Sequence, residues 1–240
     1  MKRCLIVFAK EPTKGRVKTR LTPYLSESQC VKLYKAFLKD TINLANSIQC
    51  AQRIMAYDCD TANPAYLKKI ARGFLFYEQK GKNLGEKMHN AFQFAHEHNA
   101  SKMVLMGSDF PTLPARFIEE AFRRLDTNDI VLGPSFDGGF YLIGLKRPHS
   151  ALFNGIKWST EGVLSHTVKN ARILKQEVVK LDEWYDIDDI SSLRRLQRDL
   201  RKVKNKATAK WTSKFLKSSI PTGVSPAKNT EDEPDSLTPA

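Results

Sequence analysis

Residues 4–21 read Cys4-Leu5-Ile6-Val7-Phe8-Ala9-Lys10-Glu11-Pro12-Thr13-Lys14-Gly15-Arg16-Val17-Lys18-Thr19-Arg20-Leu21. The first six are apolar without alternation, the pattern of a strand covered on both faces. A Pro/Gly/Lys-rich loop then replaces it at once. The same succession recurs downstream. Ser26 or Ser28 opens a helical pattern through Val31, Leu33, Tyr34, Phe37, Leu38, Ile42 and Leu44. Strands are predicted at 54–57, 74–77, 103–106, 130–132 and 140–145, with helices at 64–70, from Leu84 to Ala95 and from Pro114 to Leu125 between them. Strands alternating with helices at this spacing are βαβ units. They predict a three-layer α/β/α domain with a largely parallel sheet and helices on both faces. In such sheets the ligand lies outside the carboxyl ends of the strands. That rule selects the loops at 10–23, 107–111 and 182–189.

The composition agrees. The 240 residues are 41% hydrophobic and 27% charged, which suits a globular chain. No apolar run approaches a membrane span. The apolar start is interrupted after nine residues by Lys10, Glu11 and Pro12, and reads as a strand rather than a signal peptide. Cysteines at 4, 30, 50 and 59 form no C-x-x-C pair and are expected to be reduced, so a cytoplasmic location is the default. The net charge of +13 is unevenly spread. Residues 194–217 carry ten Lys or Arg against Asp199, and so +9 of that total. This basic amphipathic segment can contact an anionic membrane surface or RNA, or be a solvated face. Nothing resembles a nucleic-acid readout motif, and no specific nucleic-acid partner is expected. The expected organisation is a domain over 1–203, a basic extension over 204–220 and a disordered Pro/Ser/Thr/Asp/Glu tail over 221–240.

The loops carry the chemistry. Lys10, Lys14, Arg16, Lys18 and Arg20 place five cations in eleven residues around Gly15, a charge density suited to a polyphosphate. In an extended stretch Arg16, Lys18 and Arg20 would share one face. Neither a P-loop nor a G-x-G-x-x-G is present. Asp109 follows a buried strand, where its carboxylate can hold a hard cation beside phosphates or cap the helix near Pro114. Residues 182–189 hold four Asp and one Glu. Asp186 and Asp188 can point together toward a metal, or Asp188 can cap the following helix. Asp137-Gly138-Gly139 reads either as a D-G turn or as a close approach to a ligand. Ser159 or Thr160 is expected to cap the next helix.

Together these segments resemble the bacterial and archaeal family of small GT-A-like nucleotide-diphospho-sugar transferases. That family is often described as a domain of unknown function, and some members are labelled glycosyltransferases linked to arsenosugar biosynthesis. The resemblance rests on F-A-K-x-P-x-x-G-x-V-K-T-R-L at Phe8–Leu21 and Q-x-G-x-x-L-G-x-x-M at Gln79–Met88. It rests also on G-x-D-x-P-x-L at Gly107–Leu113, G-P-x-x-D-G-G-F-Y-L-I-G-L at Gly133–Leu145, W-S-T at Trp158–Thr160 and W-Y-D-I-D at Trp184–Asp188. It covers about residues 3–200 and implies a GT-A-like nucleotide-diphospho-sugar transferase fold with a mainly parallel mixed sheet.

Molybdopterin-guanylyl and phospholactate guanylyltransferases are more distantly similar. By that similarity Lys10, Lys18 and Arg20 would hold a triphosphate, with Gly15, Arg16, Thr19, Gly85 and Gly107 also along the nucleotide. Asp109 and Asp188, with Asp186 as substitute, would bind Mg2+ or Mn2+; were the reaction sugar transfer instead, Asp137 would help orient an acceptor. Relatives often read D-I-D-T-P-E-D-L where this chain reads Asp186-Ile187-Asp188-Asp189-Ile190-Ser191-Ser192-Leu193, so the carboxylate is kept while the helix start differs.

The implied activity is metal-dependent nucleotidyl transfer from an NTP to a small phosphorylated or hydroxylated acceptor. Sugar transfer from an NDP-sugar is the alternative on the same scaffold. An inactive nucleotide-binding or anchoring module is a third expectation of a different class.

Overall fold

The computed structural model describes residues 2–58, 63–202 and 208–219. Cys59 and the segment 221–240, for which a disordered tail is expected, lie outside the described residues, as do 203–207 of the basic stretch.

Seven strands form one sheet: β1 (Arg3–Lys10), β2 (Gln52–Asp58), β3 (Leu75–Glu78), β4 (Lys102–Met106), β5 (Ile130–Pro134), β6 (Phe140–Leu145) and β7 (Val178–Lys180). Their order is β3-β2-β1-β4-β6-β5-β7. Every described pairing is parallel except those of β6, which runs antiparallel to both β4 and β5. The sheet is therefore mainly parallel and mixed, as expected. The β5–β6 connection is a hairpin, which two antiparallel neighbours permit without a crossover.

Among the described residues seven helices complete the layers: α1 (Glu27–Ser47), α2 (Ala65–Ile70), α3 (Leu84–Glu97), α4 (Ala115–Arg124), α5 (Val163–Ile173), α6 (Ile190–Lys202) and α7 (Lys210–Ser219). The unbroken apolar run of β1 finds its cause here. Leu5, Val7 and Ala9 face a core with α1, α4, α6 and α7, while Cys4, Ile6 and Phe8 face one with α3 and α5. Fully buried Phe37 and Phe122 on one side and Phe92 on the other anchor the two layers. Each contributes about 1.5–3 kcal/mol of burial.

Helix starts follow local chemistry. Ser26 begins α1 through a capping box: Gln29 N donates to Ser26 Oγ and Ser26 N to Gln29 Oε1, at 3.3 and 2.8 Å. Asn83 caps α3 through Glu86 N at 3.0 Å. Asp189 Oδ1 accepts from Ser192 N at 2.8 Å at the start of α6, so Asp189 and not Asp188 does the capping. The expected cap at Ser159 or Thr160 is corrected. The N-cap of α5 is Gly162, and Thr160 Oγ1 instead bonds back to Lys157 O.

The stretch around Trp211, Phe215 and Leu216 is a regular helix, α7, packed on α1. Buried Asp40 of α1 caps it from outside: Trp211 N, Thr212 N and Thr212 Oγ1 all donate to its carboxylate, at 3.0, 2.8 and 2.7 Å. Asp40→Ala strips three donors of their acceptor at once. The expected cost is about 2–4 kcal/mol. Urea unfolding measures it, and amide exchange in α7 should rise more than exchange in the strands. Cys4, Cys30 and Cys50 are free thiols. Among the described residues no helix is long and apolar enough to cross a membrane.

Candidate active site

Because β1, β4 and β5 run the same way, the loops that leave them meet at one edge of the sheet, together with the segment after β7. A cavity of about 410 Å3 opens there. One wall is apolar: Phe8, Leu84, Met88, Leu105 and Phe140. The other is polar and charged: Lys10, Arg16, Lys18, Thr19, Arg20, Asp109 and Asp188. Sequence and structure thus bring the basic loop and two of the predicted carboxylates to one place.

The basic loop is not extended, which corrects the two-residue periodicity expected of it. Gly15 turns the chain at φ 72, and Lys18 sits in the left-handed region at φ 53. A short 3-10 helix, Thr19–Leu21, follows. Buried Val17 and Leu21 fasten the loop to the core. Arg16, Lys18 and Arg20 reach the cavity through this turn rather than through strand alternation.

Lys18 is the centre of the charged wall. Its ammonium lies 2.5 Å from Asp109 Oδ1 and 3.3 Å from Asp188 Oδ1, and donates to Ile187 O at 2.6 Å. Arg20 Nη1 meets the other oxygen, Asp188 Oδ2, at 3.2 Å. The backbone ties the two acidic loops together, with Ile187 N donating to Asp109 O at 3.1 Å. Asp109 does not cap α4, whose N-cap is Pro114.

The donor set suits a hard divalent cation. Two carboxylates flank a resident ammonium that already marks the place of a positive charge. Among the described residues no three His, Cys, Asp or Glu groups cluster to hold a metal by themselves. Mg2+ is characteristically held by one or two carboxylates with phosphate and water completing its shell. Asp109 and Asp188 fit that pattern.

Other predicted residues fall elsewhere. Asp137 does not line the cavity. Its Oδ1 accepts from Ser135 Oγ and from Gly139 N, which closes the β5–β6 turn. Gly85 is packed under Trp158, where a Cβ would approach the ring to 2.5 Å. Gly15 shapes the loop without forming a wall, whereas Gly107 is part of the wall.

Asp186 does not line the cavity either. Burial, then Asp137 and Asp188, push its carboxyl up to about 6. The folded protein therefore binds this proton more readily than the unfolded chain, and stability falls as pH rises from about 3.8 to about 6. Asp186→Asn should flatten that slope. Discounting for partial exposure, it should stabilise the metal-free protein at pH 7 by about 1–2 kcal/mol. Urea unfolding at pH 4 and pH 7 checks both.

One contributor, Tyr34, carried no sequence signal of its own, and a second, Gln79, stood out only as the first residue of a motif. Tyr34 reads as a core position of α1, yet its hydroxyl accepts from Lys10 N at 3.0 Å and lies 2.8 Å from Ser108 Oγ, bracing two loops of the cavity. Burial, then Asp109, hold this phenol well above its ordinary pKa. Gln79 donates from Nε2 to Ala56 O at 2.8 Å and Ala9 O at 3.4 Å. Its Oε1 is the amide atom left to offer the cavity.

This sheet order, its edge cavity and the basic loop facing two carboxylates define a GT-A-like nucleotidyltransferase-type fold. The chain belongs to the family described as an uncharacterized protein conserved in bacteria (DUF2064), which matches residues 41–160. A crystal structure of a candidate nucleotide-diphospho-sugar transferase from Desulfovibrio desulfuricans G20 is 32% identical. It aligns over 90% of this chain and 95% of its own, with a TM-score of 0.83. The 2-phospho-L-lactate guanylyltransferase of Methanobrevibacter smithii is 28% identical over 129 residues. That match takes in 54% of this chain and 56% of the relative, so the chain spans little more than half the length of the curated relative. The 4-diphosphocytidyl-2C-methyl-D-erythritol synthase of Anaerococcus prevotii shares the fold at 8% identity and a TM-score of 0.57, over 83% of this chain and 96% of its own.

Proposed function

We propose that this chain is a nucleotidyltransferase that moves a nucleoside monophosphate from an NTP to a small phosphorylated or hydroxylated acceptor and releases pyrophosphate. The observation that carries the reading is the convergence of Lys10, Arg16, Lys18 and Arg20 with Asp109 and Asp188 on one cavity whose opposite wall is apolar. The apolar side accommodates a base. Gln79 Oε1 can accept from a donor on the base edge. The cations bind the phosphate chain, orient the α-phosphorus for in-line attack and stabilise the charge that develops on the leaving pyrophosphate. Asp109 and Asp188 would hold a divalent cation, Mg2+ or Mn2+, which when bound neutralises charge on the phosphates. No side chain needs to act as a nucleophile. The name given to the Desulfovibrio relative favours a second reading, sugar transfer from an NDP-sugar.

Products separate the two. The protein is incubated with Mg2+, each of the four NTPs or an NDP-sugar, and a pool of small phosphate esters and hydroxy acids. Pyrophosphate release from an NTP is the expected outcome. Free nucleoside diphosphate with a glycosylated product would establish the second reading instead.

A further inference from the structure

The ammonium of Lys18 has three N–H donors, and three acceptors surround it: Ile187 O at 2.6 Å, Asp109 Oδ1 at 2.5 Å and Asp188 Oδ1 at 3.3 Å. Its side chain is 3% exposed. The Phe37 ring lies beneath it, with the nitrogen 5.5 Å from the ring centroid. In this arrangement Lys18 has no donor left for a phosphate. Three of the four carboxylate oxygens are engaged as well. Both Oδ1 atoms share the ammonium, and Asp188 Oδ2 is engaged by Arg20 at 3.2 Å. The two roles assigned to this wall, cations on phosphate and carboxylates on metal, cannot both be met without rearrangement. Lys18 reaches its position through a left-handed backbone, φ 53, a conformation uncommon for a residue with a side chain.

We propose that Lys18 is the resident counter-cation of the Asp109–Asp188 pair in the nucleotide-free protein. A divalent cation gains those oxygens only when a polyphosphate draws the ammonium away, so that metal and polyphosphate bind well together and poorly apart. The inference rests on the reading of the cavity as a nucleotide site. The charge balance supports it. Asp109 and Asp188 are matched by Lys18 and Arg20, so these four side chains balance as they stand. A divalent cation arriving alone would sit within a few ångströms of two fixed cations, a repulsion that the half-shielded wall screens poorly. Arriving with a polyphosphate, it brings the anion that Lys18 and Arg20 can turn to. The exchange returns each group to the partner its chemistry favours: ammonium and guanidinium on phosphate oxygens, and carboxylates on the hard cation.

The test measures Mn2+ binding to the nucleotide-free full chain by electron paramagnetic resonance. It compares wild type, Lys18→Met, Lys18→Gln, Asp109→Asn, the Lys18→Met/Asp109→Asn double variant and Lys10→Met. Lys10 serves as a cation of the same cavity that does not touch either carboxylate. Removing the ammonium is expected to tighten Mn2+ binding by at least about tenfold. Asp109→Asn should cancel that gain in the Lys18→Met background, yet change wild type by less than about threefold. Lys10→Met should stay within about threefold of wild type, a background effect of net charge. Equilibrium dialysis of wild type with inorganic tripolyphosphate should then retain Mn2+ on the protein side only when both are present.

Wild type that binds Mn2+ as tightly as the Lys18 variants, or that loses Mn2+ affinity on Asp109→Asn without nucleotide, overturns the proposal. The wild-type and Asp109→Asn pair decides it even if neither Lys18 variant folds. Failure of the functional reading is separate. A protein that yields no pyrophosphate from any NTP but shows this Mn2+ pattern refutes the assigned reaction and leaves the exchange standing.

Discussion

Asp109→Asn is expected to lower nucleotidyl transfer by roughly 10²–10³-fold, the range that follows loss of one preorganised charged group at a phosphoryl or oxyanion centre. The substitution keeps the shape and one acceptor oxygen, so the loop need not move. What it removes is the negative charge. Asp109 Oδ1 lies 2.5 Å from the Lys18 ammonium, and Asp109 O accepts from Ile187 N, which holds the acidic segment carrying Asp188 in register. The backbone bond survives the substitution, so Asp188 should stay in place. The loss should therefore fall on the charge of the site and not on its assembly. Calorimetric titration with each NTP, with and without Mg2+, reads this directly. In wild type Mg2+ should strengthen binding of the preferred triphosphate. In Asp109→Asn that enhancement should disappear, while the unfolding midpoint moves little. A variant that keeps both the Mg2+ enhancement and wild-type turnover would remove Asp109 from the site.

Much of this was readable in the chain because burial on both faces leaves a plain mark. β1, β4 and β6 are continuous apolar runs, since each residue meets helices on one side or the other. Their ends then locate the loops that matter. Lys18, Arg20, Asp109 and Asp188 were legible as types and converge on one cavity. Backbone conformation was less legible. Nothing in Arg16-Val17-Lys18 announces that Lys18 turns left-handed, or that its ammonium meets Asp109 and Ile187, 91 and 169 residues away along the chain. Long-range caps were invisible for the same reason. Asp40 reads as a polar residue of an amphipathic helix until α7 arrives to use both its oxygens. One glycine was ambiguous in the opposite sense. Gly85 belongs to a stretch that resembles a nucleotide motif, yet it makes room for Trp158. Asp137 shows the same ambiguity, since its carboxylate serves the turn between β5 and β6.

That turn gives the second large effect. Gly138→Ala is expected to cost about 3–4 kcal/mol, from a strained dihedral and a backbone collision together. Gly138 adopts φ 82, which alanine tolerates poorly, and an added Cβ would lie 2.5 Å from Glu161 Cα and 2.7 Å from Glu161 C. No rotamer relieves this, because the obstacle is main chain. Either the turn opens or the segment leading into α5 retreats. Gly138 O accepts from Leu164 N at 2.9 Å and Gly138 N donates to Ser135 O at 3.1 Å, so either movement breaks a bond that pins the turn to α5 or closes it on itself. The disturbance then reaches the site through Phe140 of the cavity wall, two positions later.

Gly155→Ala separates the two causes. Gly155 has a similar φ of 70, but its added Cβ would meet nothing within 4 Å. It should lose only about 1 kcal/mol, the dihedral cost alone. Urea unfolding of both variants, with pyrophosphate release measured beside it, gives the difference. A Gly138→Ala protein no less stable than Gly155→Ala would mean that the 135–139 turn can slide off α5 freely. The turn would then be a movable segment beside α5 instead of a fixed brace.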